Sequence, residues 1–267
     1  MARALTALSI GPLDPSGRDG VLTDLKTFSA LGLHGAAAIT TFAETQVPAA
    51  SVASQLRAVL GAIRVDVVKL TCPDDAALLD AIASSLLTYD VRNLVLDPAA
   101  APLNPDALPV LKARLLPFAL VVLPNIPEAS ALAQRKIDTW EEMREAALAI
   151  AALGPANVVI KGGKRAGNRV TDLLFDGTDY RDYTAERIDN TEILGSGTTF
   201  AAAVAATLAK GETVQHSVAT AKAYVTKALQ SAYELGDAPA LHHFYRYWQP
   251  SAPGSLAPDD PEAYRKQ

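Results

Sequence analysis

Apolar positions along this chain follow two rhythms that alternate. Short, nearly unbroken runs read as buried strands: "ALTALSI" (4–10), "AAAIT" (36–40), "VDVVKL" (65–70), "NLVLDP" (93–98), "FALVVLPN" (118–125) and "NVVIKGG" (157–163). Between them apolar residues recur every three or four positions, the period of a helix with one buried face. Val21, Leu25, Phe28 and Leu31 mark such a face over 19–31. Val52, Leu56, Val59 and Ile63 mark a second, with Ser51 as its expected cap. Asp74 and Asp75 suit the start of a helix running to Leu87, because acids stabilise its positive end. Thr139 with Glu142 predicts a capping box for a helix over 139–153. Two short strands over 170–184 flank the turn "FDGTD", and two long helices follow, over about 197–210 and 213–235.

Strands and helices in strict alternation, with strands apolar on both sides, predict a three-layer α/β/α sandwich around a mainly parallel sheet. Residues 1–248 read as one domain. The stretch from 249 to 267 reads as a loose tail, its "PSAPGSLAPDDPEAYRKQ" holding four prolines in 18 residues.

Composition narrows the classes. Half of the 267 residues are hydrophobic (49%) and a fifth are charged (20%), the balance of a globule with a substantial core. A net charge of −5 argues against nucleic acid or an anionic membrane as the main partner. The apolar opening is too short for a signal peptide and meets "PLDPSG", and no apolar run approaches the roughly 18 residues of a membrane span. The single cysteine, Cys72, forms no intramolecular disulfide and reads as a small buried hydrophobe, so a reducing cytoplasmic setting is expected.

Candidate chemistry collects where open parallel sheets bind ligands, beyond the carboxyl ends of the strands. Gly11, Asp14, Ser16 and Gly17 follow the first strand, and Asp97 follows "NLVL". Asn125 and Glu128 follow "ALVVL", and Lys161, Gly162 and Gly163 follow "NVVI". Gly195, Ser196, Gly197 and Thr198 open an alanine-rich helix. A strand-end glycine or aspartate alone is ordinary turn chemistry; five such ends in one chain carry the reading. The Gly195–Gly197 turn lets backbone N–H groups converge at the positive end of a helix, which makes an anion hole, although a start capped by Ser196 or Thr198 fits the same spacing. Asp97 and Glu128 are candidate carboxylates for a nucleotide-bound Mg²⁺, and Glu128 also fits a first-turn acid. Lys161 would offset phosphate charge. The His242–His243 pair lacks other ligands at metal spacing and reads as surface or helix-end histidines.

Taken together these segments resemble bacterial hydroxymethylpyrimidine/phosphomethylpyrimidine kinases, of the ribokinase-like superfamily. The resemblance rests on "ALSIGPLDPSGRDGVLTDLKTFSALGLHGAAAIT", "LPNIPEA", "VIKGGK", "GSGTTFAAAVAATLAKG" and "LHHFYRYW", in that order, across residues 5 to about 248. It implies a ribokinase-like fold, commonly dimeric, that uses ATP with Mg²⁺ to phosphorylate hydroxymethylpyrimidine or its monophosphate in thiamine biosynthesis. Carried over, Gly11, Asp24 and Thr45 fall on the acceptor side. Asn125, Lys161 and Gly162 fall at the nucleotide, Asp97 and Glu128 at the metal, and Gly195 to Thr198 at the transferring phosphoryl.

The departures from the family pattern are as informative. The family's catalytic cysteine falls at Thr198, and a threonine hydroxyl is a poor base at neutral pH. General-base help is worth about 10²–10⁴ in rate, whereas positioning and charge stabilisation do most of the work of phosphoryl transfer. On the acceptor side, small residues become Pro12 and Leu13, a Gly-Ala pair becomes Arg18-Asp19, and an expected glutamine becomes Thr45. The loop "PAAAPLN" after Asp97 lacks the family's Lys-Ser-Gly. Two alternatives stand beside the kinase of thiamine synthesis: a kinase of pyridoxal or pyridoxine, and a ligand-binding homologue with a weakened active site.

Overall fold

The structure is a computed structural model, and it describes residues 3–98, 104–163, 167–188 and 193–249. Most of the loop after Asp97, and the tail from 250 onward, lie outside the described residues.

The alternation in the sequence becomes a nine-stranded sheet in the order β3-β2-β1-β4-β5-β6-β7-β8-β9. Its strands are β1 (Thr6–Leu13), β2 (His34–Phe42), β3 (Thr45–Gln46), β4 (Val67–Thr71), β5 (Leu94–Asp97), β6 (Ala119–Val122), β7 (Val158–Ile160), β8 (Arg169–Phe175) and β9 (Tyr180–Glu186). From β2 through β1 to β7 every pairing is parallel. Antiparallel hairpins close the two edges, β2 with β3 and β8 with β9. The helices are α1 (Gly20–Ala30), α2 (Ala49–Leu60), α3 (Ala76–Thr88), α4 (Ala107–Val110), α5 (Ile126–Ala133), α6 (Trp140–Ala151), α7 (Ser196–Ala209) and α8 (Val214–Gln230).

Period-two alternation sends successive strand residues to opposite faces of the sheet. Leu8, Val68, Leu94, Leu96, Val122 and Val158 join a core with α2, α3, α5 and α6. Ala7, Val67, Val95, Val121, Val159 and Leu174 join a second core with α1, α7 and α8. Helix α7 lies in the middle of that second layer, and every residue from Thr199 to Leu208 is buried. Its alanines suit this position, since small side chains let three neighbouring layers approach closely.

Several expected boundaries moved. Helix α2 starts at Ala49 after Pro48, so Ser51 lies inside its first turn and does not cap it. The helix stops at Leu60, and Ile63, beyond its end, is 38% exposed instead of facing inward. The last helix ends at Gln230, because residues 233–235 and 238–240 pair as a hairpin, β10 and β11, across Gly236. Asp75 caps α3, accepting from the Leu78 N–H at 2.7 Å, and the Thr139–Glu142 capping box forms.

Candidate active site

Strand β1 lies between β2 and β4, so the chain departs from it in opposite directions along the sheet. That reversal leaves a crevice at the carboxyl edge. The turn after β1 is shaped by Asp14, whose carboxylate accepts from the Ser16, Arg18 and Asp19 N–H groups and from the Ser16 hydroxyl. Burial alone would raise its pKa, and these hydrogen bonds outweigh burial and hold it below the ordinary carboxylate value.

The turn packs directly against the start of α7. Gly195 has φ of 80°, and a Cβ there would sit 2.1 Å from the Arg18 carbonyl oxygen. Only glycine fits this left-handed, close-packed position. No side chain caps α7, and its first intrahelical bond runs from the Thr199 N–H to the Gly195 carbonyl at 2.8 Å. The N–H groups of Ser196, Gly197 and Thr198 therefore have no partner within the helix. Three such donors at a helix N terminus have the arrangement expected of an anion hole, and neither Ser196 nor Thr198 caps the helix start.

Lys161 meets this turn. Its backbone N–H donates to the Pro124 carbonyl at 2.8 Å, which aligns the ends of β6 and β7 and sets Asn125 beside it. A Cβ on Gly197 would lie 3.7 Å from Lys161 Nζ, so the ammonium sits against the first turn of α7. It donates to Asp97 Oδ1 at 2.7 Å, with the two side chains 14% and 3% exposed. Burial works against this charge, but Asp97, Glu128 and Asp172 outweigh burial and raise the lysine's pKa.

A cavity of about 410 Å³ opens from this point. Asn125, Lys161, Gly163, Ser196 and Gly197 line its polar end, and Val170, Ala185, Ile188, Phe200, Val225 and Leu229 line much of the rest. Gly162 is buried behind it, with its N–H bonded to Asp172 Oδ1 at 2.9 Å. A polar end at a helix N terminus and an apolar slot beyond it suit a phosphorylated, flat-ringed ligand.

The carboxylates proposed for a metal have partners already. Glu128 is 3% exposed, and its oxygens accept from the backbone N–H of Asn125 at 2.8 Å and from Asn125 Nδ2 at 2.6 Å. Its own N–H donates to Asn125 Oδ1, so it forms the capping box of α5. No group of three or more His, Cys, Asp or Glu that could hold a metal exists among the described residues. Asp97 and Glu128 instead flank Lys161. That donor set suits an Mg²⁺ arriving on a nucleotide, which keeps waters and phosphate oxygens and needs only one or two carboxylates.

The acceptor-side residues lie apart from this cavity. Gly11 is buried on β1, where an added Cβ would meet Thr71 Cβ at 3.0 Å. Asp24 is wholly buried; it accepts from Ser9 Oγ at 2.6 Å and pairs with Lys69 Nζ at 3.0 Å. Asp24 therefore has no exposed surface, and its carboxylate ties α1 to the neighbouring β4. Burial dominates its titration and raises its pKa, although Lys69 and Ser9 oppose the shift. Thr45 is exposed on the β2–β3 hairpin, whose turn residues Ala43 and Glu44 both have positive φ. Thr198 is half-buried in the first turn of α7.

The histidines overturn their expectation. His242 and His243 are 1% and 6% exposed. His243 Nε2 lies 3.2 Å from the Thr199 hydroxyl, and the His243 carbonyl accepts from Tyr224 at 2.8 Å. The segment is an interior strap against α7 and α8, which no periodicity near residue 242 announces. Lys69 had a readable signal, a lysine inside the β-branched run "VDVVKL". Asp172 and Lys222 had none.

Similarity to known proteins accords with this geometry. The family model described as phosphomethylpyrimidine kinase matches residues 14–242. The chain belongs to this family. The hydroxymethylpyrimidine/phosphomethylpyrimidine kinase of Rhizobium meliloti is 40% identical to it over 91% of this chain and 98% of its own length. The thiamine biosynthesis bifunctional protein ThiED of Geobacter sulfurreducens is 38% identical over 86% of this chain, which spans 50% of that longer protein. Among solved structures, pyridoxal kinase from Staphylococcus aureus in complex with AMP-PCP and pyridoxal superposes with a TM-score of 0.86 at 28% identity, over 92% of this chain and 96% of its own. Membership of this kinase family, with the likeness to a kinase structure, makes the chain an ATP-dependent small-molecule kinase.

Proposed function

We propose that this chain phosphorylates hydroxymethylpyrimidine, its monophosphate, or both, with Mg²⁺–ATP, in thiamine biosynthesis. The observation that carries the reading is the meeting of Lys161 Nζ with the uncapped first turn of α7 at the polar end of one cavity. Two independent sources of positive potential converge there, as the γ-phosphoryl group requires.

In this reading the apolar slot takes the nucleotide base, and the N–H groups of Ser196, Gly197 and Thr198 hold the transferring phosphoryl. The acceptor oxygen, the hydroxyl of the alcohol or a phosphate oxygen of its monophosphate, bonds to the γ-phosphorus as the bond to the β–γ bridging oxygen breaks, and ADP leaves. Asp97 and Glu128 would hold Mg²⁺ there, and the ion would supply charge neutralisation. Thr198 offers a hydroxyl rather than a base, so the acceptor's proton passes to solvent or to phosphate oxygen. Gly11, Asp24 and Thr45 shape the acceptor side from the end of β1, from beneath it and from the hairpin. The protein acts in the cytoplasm as a homodimer, with residues 1–248 as the kinase domain and 249–267 as a tail.

The test is product formation. Purified protein is incubated with Mg²⁺–ATP and, separately, hydroxymethylpyrimidine, its monophosphate and pyridoxal, with ADP followed and products identified by mass. Phosphorylated pyrimidine is expected. Turnover of pyridoxal alone would assign the B6 reading. Ligand binding with no product from any acceptor would mark a retired active site.

A further inference from the structure

Helix α7 is polar at its start and smooth along its length. From Phe200 to Ala206 its buried residues are apolar, most of them alanine. Thr207 donates its hydroxyl to the helix's own Ala203 carbonyl at 2.8 Å. Contacts between such small apolar side chains carry no direction. Among the described residues, one side-chain hydrogen bond joins α7 to another part of the fold. It links the Thr199 hydroxyl and His243 Nε2, 3.2 Å apart and both buried. The histidine is itself pinned to α8, since its carbonyl accepts from Tyr224 at 2.8 Å and the His242 N–H donates to the Ala228 carbonyl at 3.2 Å. Burial, then Lys26 and His242, lower the His243 pKa to about 4 and keep the ring neutral at neutral pH. A threonine hydroxyl both donates and accepts, so the contact forms with either tautomer of that neutral ring.

We infer that His243 is a positioning residue for phosphoryl transfer: through the Thr199 hydroxyl it fixes the rotation and depth of the first turn of α7, and so aims that turn's open N–H groups. The inference deepens the function proposed above and rests on it. The N–H groups of Ser196, Gly197 and Thr198 lie between two fixed points, Gly195 packed on the Arg18 carbonyl and Thr199 bonded to His243. The glycine contact sets how closely the turn approaches, yet the helix can still rotate about it. Thr199 follows one helical turn later on the same side, and a directional bond there removes that freedom. Aim matters because donors stabilise the transferring group only where its charge develops, and a displacement of about 1 Å can cost roughly a hundredfold in rate. Neither Thr199 nor His243 lines the cavity, so the pair acts through α7 and not by touching a ligand.

The test reads the γ-phosphate separately from the rest of the nucleotide. Affinities for ADP and for AMP-PCP, each with Mg²⁺, are measured by titration calorimetry, kcat is taken from the product assay, and urea unfolding gives stability. Thr199→Val is expected to lower kcat by about tenfold to a hundredfold. Its affinity for AMP-PCP should fall relative to that for ADP, while ADP binding stays within about twofold of wild type. Thr199→Ser keeps the hydroxyl and should restore both kcat and the affinity ratio. Because Thr199→Val leaves the His243 ring without its partner and may unfold, the double variant Thr199→Val/His243→Phe, which buries no orphaned polar group, is measured beside it. It should fold and remain slow. A folded hydroxyl-free variant with wild-type kcat and affinity ratio would overturn the inference. So would a parallel loss of ADP and AMP-PCP binding, or unfolding of both hydroxyl-free variants, since either makes the contact a general structural one. If wild type phosphorylates none of the acceptors, the proposed function fails, and the change in affinity ratio alone then decides whether His243 sets the turn.

Discussion

Lys161 answers two demands at once. It neutralises Asp97, which is 3% exposed, and it faces the turn at Gly197. Replacing it by alanine therefore removes a phosphate partner and also leaves a carboxylate buried without its cation. Lys161→Ala is expected to abolish most ATP use and to cost about 3 kcal/mol of stability, read by urea denaturation. The double variant Asp97→Asn/Lys161→Ala should regain most of that stability and none of the activity. Recovery of both would place Lys161 outside the chemistry. Thr198 is the complementary case, a side chain whose replacement is expected to help. Thr198→Cys puts a more acidic group at the position where the family carries cysteine, and turnover in the product assay should rise; an unchanged or lower rate would show that the proton leaves by another route.

At the level of elements, α7 is held from behind. Its first buried residue, Thr199, shares a hydrogen bond with His243, which belongs to a strap also bonded to α8 through Tyr224 and to the end of α1 through Tyr247 and the Ala30 carbonyl. Burial, reinforced by Lys26 and His242, lowers the His243 pKa to about 4 from 6.5. The sign follows from linkage. Between these values the unfolded chain takes up a proton that the folded chain refuses, so stability is full above pH 6.5 and declines as pH falls towards 4. The loss amounts to something on the order of 3 kcal/mol across that window. His243→Gln should remove this slope from the variant, so that the difference between the two stability curves, measured by denaturant unfolding at several pH values, carries it. Parallel curves for wild type and variant would mean that His243 titrates freely. Capping and turn chemistry at this scale were largely legible. The Thr139–Glu142 box, the cap at Asp75 and the glycine turn at Gly195 each depend on residues a few positions apart. The start of α2 was less so, because Pro48 precedes its first residue, Ala49, and leaves Ser51 inside the first turn.

Across the described residues, one nine-stranded sheet supports both cores. The two tryptophans report on opposite sides. Trp140 packs on the core of α2, α3, α5 and α6, and Trp248 stacks on His242, with ring centroids 4.2 Å apart, in the strap behind α7 and α8. Trp140→Phe and Trp248→Phe variants, each with one fluorophore left, should unfold in urea with coincident midpoints; separated midpoints would show that the layers come apart independently. The sequence by itself determined the order of strands and helices, their two-faced burial and the glycine turn at Gly195. Those features follow from side-chain period and backbone freedom, which act over a few residues. Tertiary structure alone decided which charges meet. Asp24 and Lys69 are 45 positions apart, Thr199 and His243 are 44, and Asp172 and Lys222 are 50. Each pair is brought together by the stacking of whole layers, and burial then makes the pairing obligatory, because a charge or polar group left alone in that interior would cost more than the fold has to spare.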